Sequence, residues 1–206
     1  MRFKFLALAA YLVSVPTLAD VSGEVTFASD YMDHGVSNSD HQPVVQIGMA
    51  YEHDSGLYTG FWSSPFDNGV NQGYAINLEF GYGRDVGDVG LSGGLLRHLF
   101  MGDKELKDGE FNEFYAAAAW ADSVLTVLYS NDGGGTGARQ ITTELSHSII
   151  FDDTLFNIML ADLRSLDEDK LLMDDNGDYQ FMQLSLGREY KRWYGEVALH
   201  MNNLNT

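Results

Sequence analysis

Apolar and polar side chains alternate with a period of two along most of this chain. That is the pattern of strands whose two faces meet different surroundings. Near 21–31, Val21, Gly23, Val25, Phe27, Ser29 and Tyr31 fall on one side, while Ser22, Glu24, Thr26, Ala28 and Asp30 fall on the other. A second strand is predicted near 44–53 and a third near 57–66, where aromatics occupy both faces. The fourth, near 74–84, sets Tyr74, Ile76, Leu78, Phe80 and Tyr82 against Ala75, Asn77, Glu79, Gly81 and Gly83. Further strands are predicted near 89–100, 113–121, 124–131, 139–151, 154–164, 178–189 and 193–202. In the last, Trp193, Val197, Leu199 and Met201 oppose Tyr194, Glu196, Ala198 and His200.

The connections alternate between short and long. Short ones are Asp54-Ser55-Gly56, 85–88, Asp122-Ser123, Asp152-Asp153 and the corner at 190–192; long ones are 32–43, 67–73, 101–112, 132–138 and 165–177. A soluble sandwich has nothing that forces this asymmetry. A bacterial outer-membrane barrel has it built in, with tight periplasmic turns and long outer loops. Strands of about 9–11 residues suit a tilted crossing of the bilayer. Aromatics gather at both strand ends: Tyr51, Tyr58, Tyr82, Trp120, Phe151, Phe156 and Trp193 by the short turns, and Tyr31, Phe66, Tyr74, Phe100, Phe114, Tyr129 and Tyr179 by the long loops. Two interfacial girdles would produce this arrangement. The expected fold is therefore all-β: an antiparallel up-and-down transmembrane β-barrel of 10–12 strands, with eleven visible. Barrels of this kind usually have even strand numbers. Eleven predicts either a lost or truncated last strand or one strand miscounted, and either way an open edge at the seam.

The N-terminus reads as an address. Arg2 and Lys4 precede an apolar run from Phe5 to Val15, and Thr17-Leu18-Ala19 offers small residues at a cleavage site. This is the build of a secretory signal peptide over 1–19, leaving a barrel domain over 20–206. The run is shorter than the ~20 residues of a membrane-spanning helix.

Charge and composition narrow the function. The chain of 206 residues carries 12 basic and 30 acidic side chains, a net charge of −18. Removal of 1–19 would take that to −20, because both basic residues there leave and no acid does. Such an excess repels phosphates, so nucleic acid is not an expected partner. The absence of cysteine excludes disulfides, thiolate metal sites, a thiol nucleophile and a lipidated N-terminal Cys.

The segment Ser29-Asp30-Tyr31, Gly35 to Asp40, Pro43, Gln46-x-Gly48, then Tyr51-x-His53-x-Ser55-Gly56-x-Tyr58-x-Gly60-x-Trp62-x-Ser64 resembles the opening of the TorF family of proteobacterial porin-like proteins. That resemblance implies an outer-membrane barrel and a pore, without a substrate. Family members commonly carry Arg in the segment where His34 stands, and they usually end in a further strand closing on an aromatic residue.

The candidate chemistry is the interior acids. If Val21, Val25 and Phe27 face lipid, then Glu24 faces the lumen, and the same alternation places Glu79, Glu144 and Glu196 there, with His200 beside them. Hydrocarbon would penalise these charges by a few kcal/mol. A lumen ringed by carboxylates favours cations; the alternative is inert packing against water or basic partners. Asp174-Asp175-Asn176-Gly177-Asp178 resembles part of a calcium loop but lacks its sixth-position Gly and closing Glu, so it reads as a solvated acidic loop. Asp33, His34, Ser37, Ser39, Asp40 and His41 crowd the first long loop, which is ordinary turn chemistry rather than a demonstrated triad. Gly133 to Gly137 lacks the Lys of a phosphate loop. No enzyme activity, cofactor or metal is expected. The expected function is passive diffusion of small hydrophilic solutes through a cation-leaning lumen. The alternative is a non-conducting outer-membrane or exported β-protein that binds through its acidic loops. Expected partners are outer-membrane lipid and lipopolysaccharide, with periplasmic chaperones and the barrel-assembly machinery during biogenesis.

Overall fold

The computed structural model describes residues 20–102, 109–167, 178–191 and 193–204. The proposed leader at 1–19 and residues 174–177 of the acidic loop lie outside these. In chain order the strands are β1 (Asp20–Ala28), the short pair β2 (Met32–Asp33) and β3 (Val36–Ser37), β4 (Val44–Glu52), β5 (Leu57–Asp67), β6 (Gln72–Val86), β7 (Val89–Gly102) and β8 (Phe111–Trp120). There follow β9 (Ser123–Ser130), β10 (Gln140–Phe151), β11 (Thr154–Ser165), β12 (Asp178–Tyr190) and β13 (Trp193–Asn202). All but β2 and β3 form one 11-stranded sheet in strict sequence order, each pair antiparallel. This is an up-and-down meander, and the eleven strands foreseen from alternation are its eleven members. Among the described residues, no helix is long and apolar enough to cross a membrane.

The sheet curls into a barrel-like shape whose two edge strands, β1 and β13, do not pair with each other among the described residues. The Tyr58 hydroxyl on β5 meets the Tyr115 hydroxyl on β8, although β6 and β7 lie between those strands in the sheet. Register fixes the two faces. Glu24 lies opposite Gly48, Glu79 opposite Gly60 and Leu96, and Glu144 opposite Thr126 and Ala161. These positions share the inner wall. The outer wall carries exposed apolar side chains, including Phe27 at 73%, Val197 at 77% and Trp193 at 70% exposure.

No single large core exists among the described residues. Two apolar clusters line the inner wall instead. One joins Leu96, Tyr115 and Leu128 with Tyr58; the other joins Ala161, Leu163, Tyr179 and Phe181 with Met159 and Leu204. The short turns use left-handed backbone where hairpins need it: Asp152 and Asp153 both have positive φ, as a two-residue type I′ turn requires.

Two expectations need correction. The girdle set was too broad. Tyr58, Phe66, Phe100 and Tyr179 share the inward face, and Tyr31 leaves β1 to pack against the inward Trp62 at 5.1 Å. An aromatic residue near a strand end satisfies a girdle or a lumen equally well, so only the register decides. The long loop at 32–43 also contains the β2–β3 hairpin, which alternation over so few residues could not signal.

Candidate functional site: the lumen and its strap

The first long connection, 29–43, does not stand outside the barrel. It folds inward and forms a strap across the lumen. Its base is fixed by Asp30. The hydroxyls of Ser37 and Ser39 both donate to Asp30 Oδ1 at 2.7 and 2.8 Å, and His41 Nδ1 sits 2.8 Å from Oδ2. Partial burial works against the Asp30 carboxylate, but these donors outweigh it and hold its pKa below the ordinary value. Backbone bonds reinforce the base: Asn38 N–H donates to Tyr31 O, and Asp67 N–H donates to Asn38 O.

The tip of the strap is a tight hairpin between Asp33 and Val36. Its two central residues, His34 and Gly35, have φ of 44° and 79°. Positive φ at both is what a type I′ turn demands; Gly35 accepts it freely, and His34 does so at some cost. That cost is offset by what the imidazole touches. Nδ1 lies 3.1 Å from Asp33 Oδ1, and Nε2 lies 2.7 Å from Glu144 Oε1 on the far wall. Both ring nitrogens face carboxylates, so the doubly protonated ring is favoured. Burial opposes the charge on His34, but Asp33 and Glu144 overcome it and raise its pKa well above the ordinary histidine value. Asp33 keeps 55% of its side-chain surface open to the lumen. Enclosure by the walls still disfavours its charge; His34, and next His98, outweigh that and lower its pKa.

The wall answers with its own network. His98 on β7 bridges Asn77 Oδ1 on β6 at 3.0 Å and Glu113 Oε2 on β8 at 3.0 Å. Further contacts seat the tip: the Asn202 side-chain amide donates to Gly35 O at 2.7 Å, and the Phe181 ring meets His34 edge-on at 6.2 Å.

The five residues foreseen from alternation all lie on the inner wall, but each has different company. Glu144 is buried and latched to His34. Glu79 accepts from the Tyr115 hydroxyl, and Glu196 accepts from the Tyr194 hydroxyl at 2.9 Å. Glu24 leans over Gly48, where a Cβ would come within 2.9 Å of its Oε1. His200 stacks on Phe181 at 6.0 Å, and its Nδ1 is buried with no hydrogen-bond partner among the described residues. Among the described residues no three of the acids and imidazoles come together as a metal site. Glu113 and the strap residues Asp33 and His34 were not foreseen as lumen groups. Glu113 was detectable in principle, since it shares parity with Tyr115, Ala117 and Ala119. The Phe114–Tyr115 pair, one aromatic per face, hid which parity was inward.

The Ser, Asp and His groups of the strap do not form a nucleophilic relay. Both serine hydroxyls give their protons to Asp30, and His41 contacts the same carboxylate rather than a hydroxyl. A relay needs the imidazole between the two.

Residues 16–201 match the family described as "Bacterial protein of unknown function (Gcw_chp)". No curated protein and no solved structure matches the chain.

Proposed function

The chain belongs to the Gcw_chp family of bacterial proteins of unknown function, and from that premise we propose that it is an outer-membrane barrel admitting small hydrophilic solutes, with a preference for cations. One observation carries the reading, namely the chemical division of the two walls. Outward positions such as Val25, Ile47, Leu78, Phe80, Leu145 and Leu199 are apolar and exposed, which is costly in water and favourable in lipid. Inward strand positions hold Glu24, Glu79, Glu113, Glu144 and Glu196, and among the described residues they hold no Lys or Arg. Arg84, Arg97, Arg164 and Arg188 all take outward parity toward strand ends. Arg97 and Arg164 pair there with Glu110 and Asp162, while Arg84 and Arg188 would reach headgroup phosphates with their stems in hydrocarbon.

The resemblance of residues 29–64 to the TorF proteins supports the same reading. Lipid, lipopolysaccharide and the assembly machinery are the partners it implies, and the role it implies is passage rather than catalysis. The test is purified, refolded protein in planar bilayers, preceded by the heat-modifiable gel migration of an intact barrel. Discrete channels with reversal potentials shifted toward the cation are expected. Equal anion and cation permeability, or a folded barrel that shows no channels even when its strap is released, would sink the proposal.

A further inference from the structure

We propose that the strap at 29–43 closes the lumen and that the His34–Glu144 contact is its latch. This rests on the pore reading and adds its regulation. Depth argues for closure. Glu144 lies four residues into β10 from its loop end at Gln140, or about 13 Å along the strand at ~3.3 Å per residue. The tip that reaches it therefore sits within the tube and not above it.

The distribution of contacts argues for a hinged element. The base is tied by Asp30 to Ser37, Ser39 and His41, and by backbone bonds at Tyr31 and Asn38. The tip, from Met32 to Val36, meets the wall at three places: Glu144 on β10, Phe181 on β12 and Asn202 on β13. Opening would break those contacts and leave the base intact. The tip's strain points the same way. His34 holds a left-handed backbone within a two-residue hairpin, and it persists there because both nitrogens are satisfied. Loss of Glu144 removes one of the two carboxylates that hold it.

The chain lacks cysteine, so a crosslink can be placed cleanly. A Cβ at Gly35 would lie 3.4 Å from Asn202 Cβ, close to disulfide spacing, but also 2.8 Å from the Phe181 ring and on left-handed backbone, so the pair carries some strain. In the full-length protein, the double substitution Gly35→Cys and Asn202→Cys should crosslink on mild oxidation. Channel conductance should then fall and return on reduction. The separate variants Glu144→Gln and His34→Gln should raise the open fraction about tenfold, the worth of one charge-assisted hydrogen bond. A crosslink that forms without changing conductance would overturn the strap's role. So would unlatched variants that conduct like the parent, and the pore reading would survive both results. If neither the parent nor any unlatched variant conducts, although each migrates as a heat-modifiable barrel, the pore reading fails and the strap's role with it. Should the cysteine pair impair folding, the two latch variants decide alone.

Discussion

The strap is held at its two ends by groups of opposite titration behaviour, and the signs follow from the charges. His34 has a raised pKa in the folded chain. Its contribution is complete below the unfolded histidine value near ~6.5 and is lost as pH rises through the raised value. Asp30 has a lowered pKa, so its contribution is complete above the unfolded value near ~3.9 and is lost as pH falls through the lowered one. The charged and titratable groups facing His34 are Asp33 on the strap, Glu144 on β10 and Tyr179 on β12, with His98 and Glu113 behind Asp33. The tip should therefore stay docked through neutrality and release on the alkaline side, while the base should loosen only in strong acid. Tyr31 packs on Trp62, so Trp62 fluorescence reports the acid loosening of the base once Trp120 and Trp193 are changed to Phe, while channel conductance reports the alkaline release of the tip. An alkaline transition that persists in His34→Gln would show that another group governs it.

At the scale of strands, alternation located nearly everything, and its errors are instructive. All eleven sheet strands begin and end within three residues of the expected bounds, because an apolar outer wall and a polar inner wall impose opposite polarity on successive side chains. The inward acids were visible for the same reason. The strap was not, because its partners are remote: His34 meets a residue 110 positions away, and Gly35 one 167 positions away. No local pattern encodes such a meeting. The packing of tyrosines over glycines was equally hidden. On β12 the Tyr194 ring of β13 occupies the space where Gly187 would carry a side chain, whereas nothing lies within 4 Å of a Cβ at Gly195. Both glycines sit in neighbouring strands of one hairpin, so they share an element but not an environment. Gly187→Ala should displace Tyr194 and cost about 1–3 kcal/mol, seen as a lower temperature for loss of the compact gel band. Gly195→Ala should stay within about 0.5 kcal/mol of the parent. Equal effects at the two sites would mean that the ring does not occupy that space.

For the whole molecule, the acid excess divides into two populations with different consequences. Acids at the outer loops and rims, such as Asp162, Glu110 and Asp167, contact Arg164, Arg97 and Arg139 in turn. Their fields are largely cancelled or screened. The inward set faces imidazoles, tyrosines and small residues, with no Lys or Arg opposite it among the described strand residues. Low-dielectric walls focus an uncompensated field of this kind along the tube. The proposed preference for cations should then depend on ionic strength as a screened field does. It should be strong at 0.1 M salt, where the Debye length is about 10 Å, and weak at 1 M, where it is about 3 Å. Glu24 and Glu196 separate this field from the strap, since neither touches it: Glu24 leans over Gly48, and Glu196 is bonded to Tyr194. Glu24→Gln with Glu196→Gln should lower cation selectivity at 0.1 M and leave open-state conductance at 1 M nearly unchanged. A selectivity indifferent to salt and to these two residues would place discrimination in direct contacts at the strap, where Asp33 and Glu144 flank His34, and not in the field of the lumen.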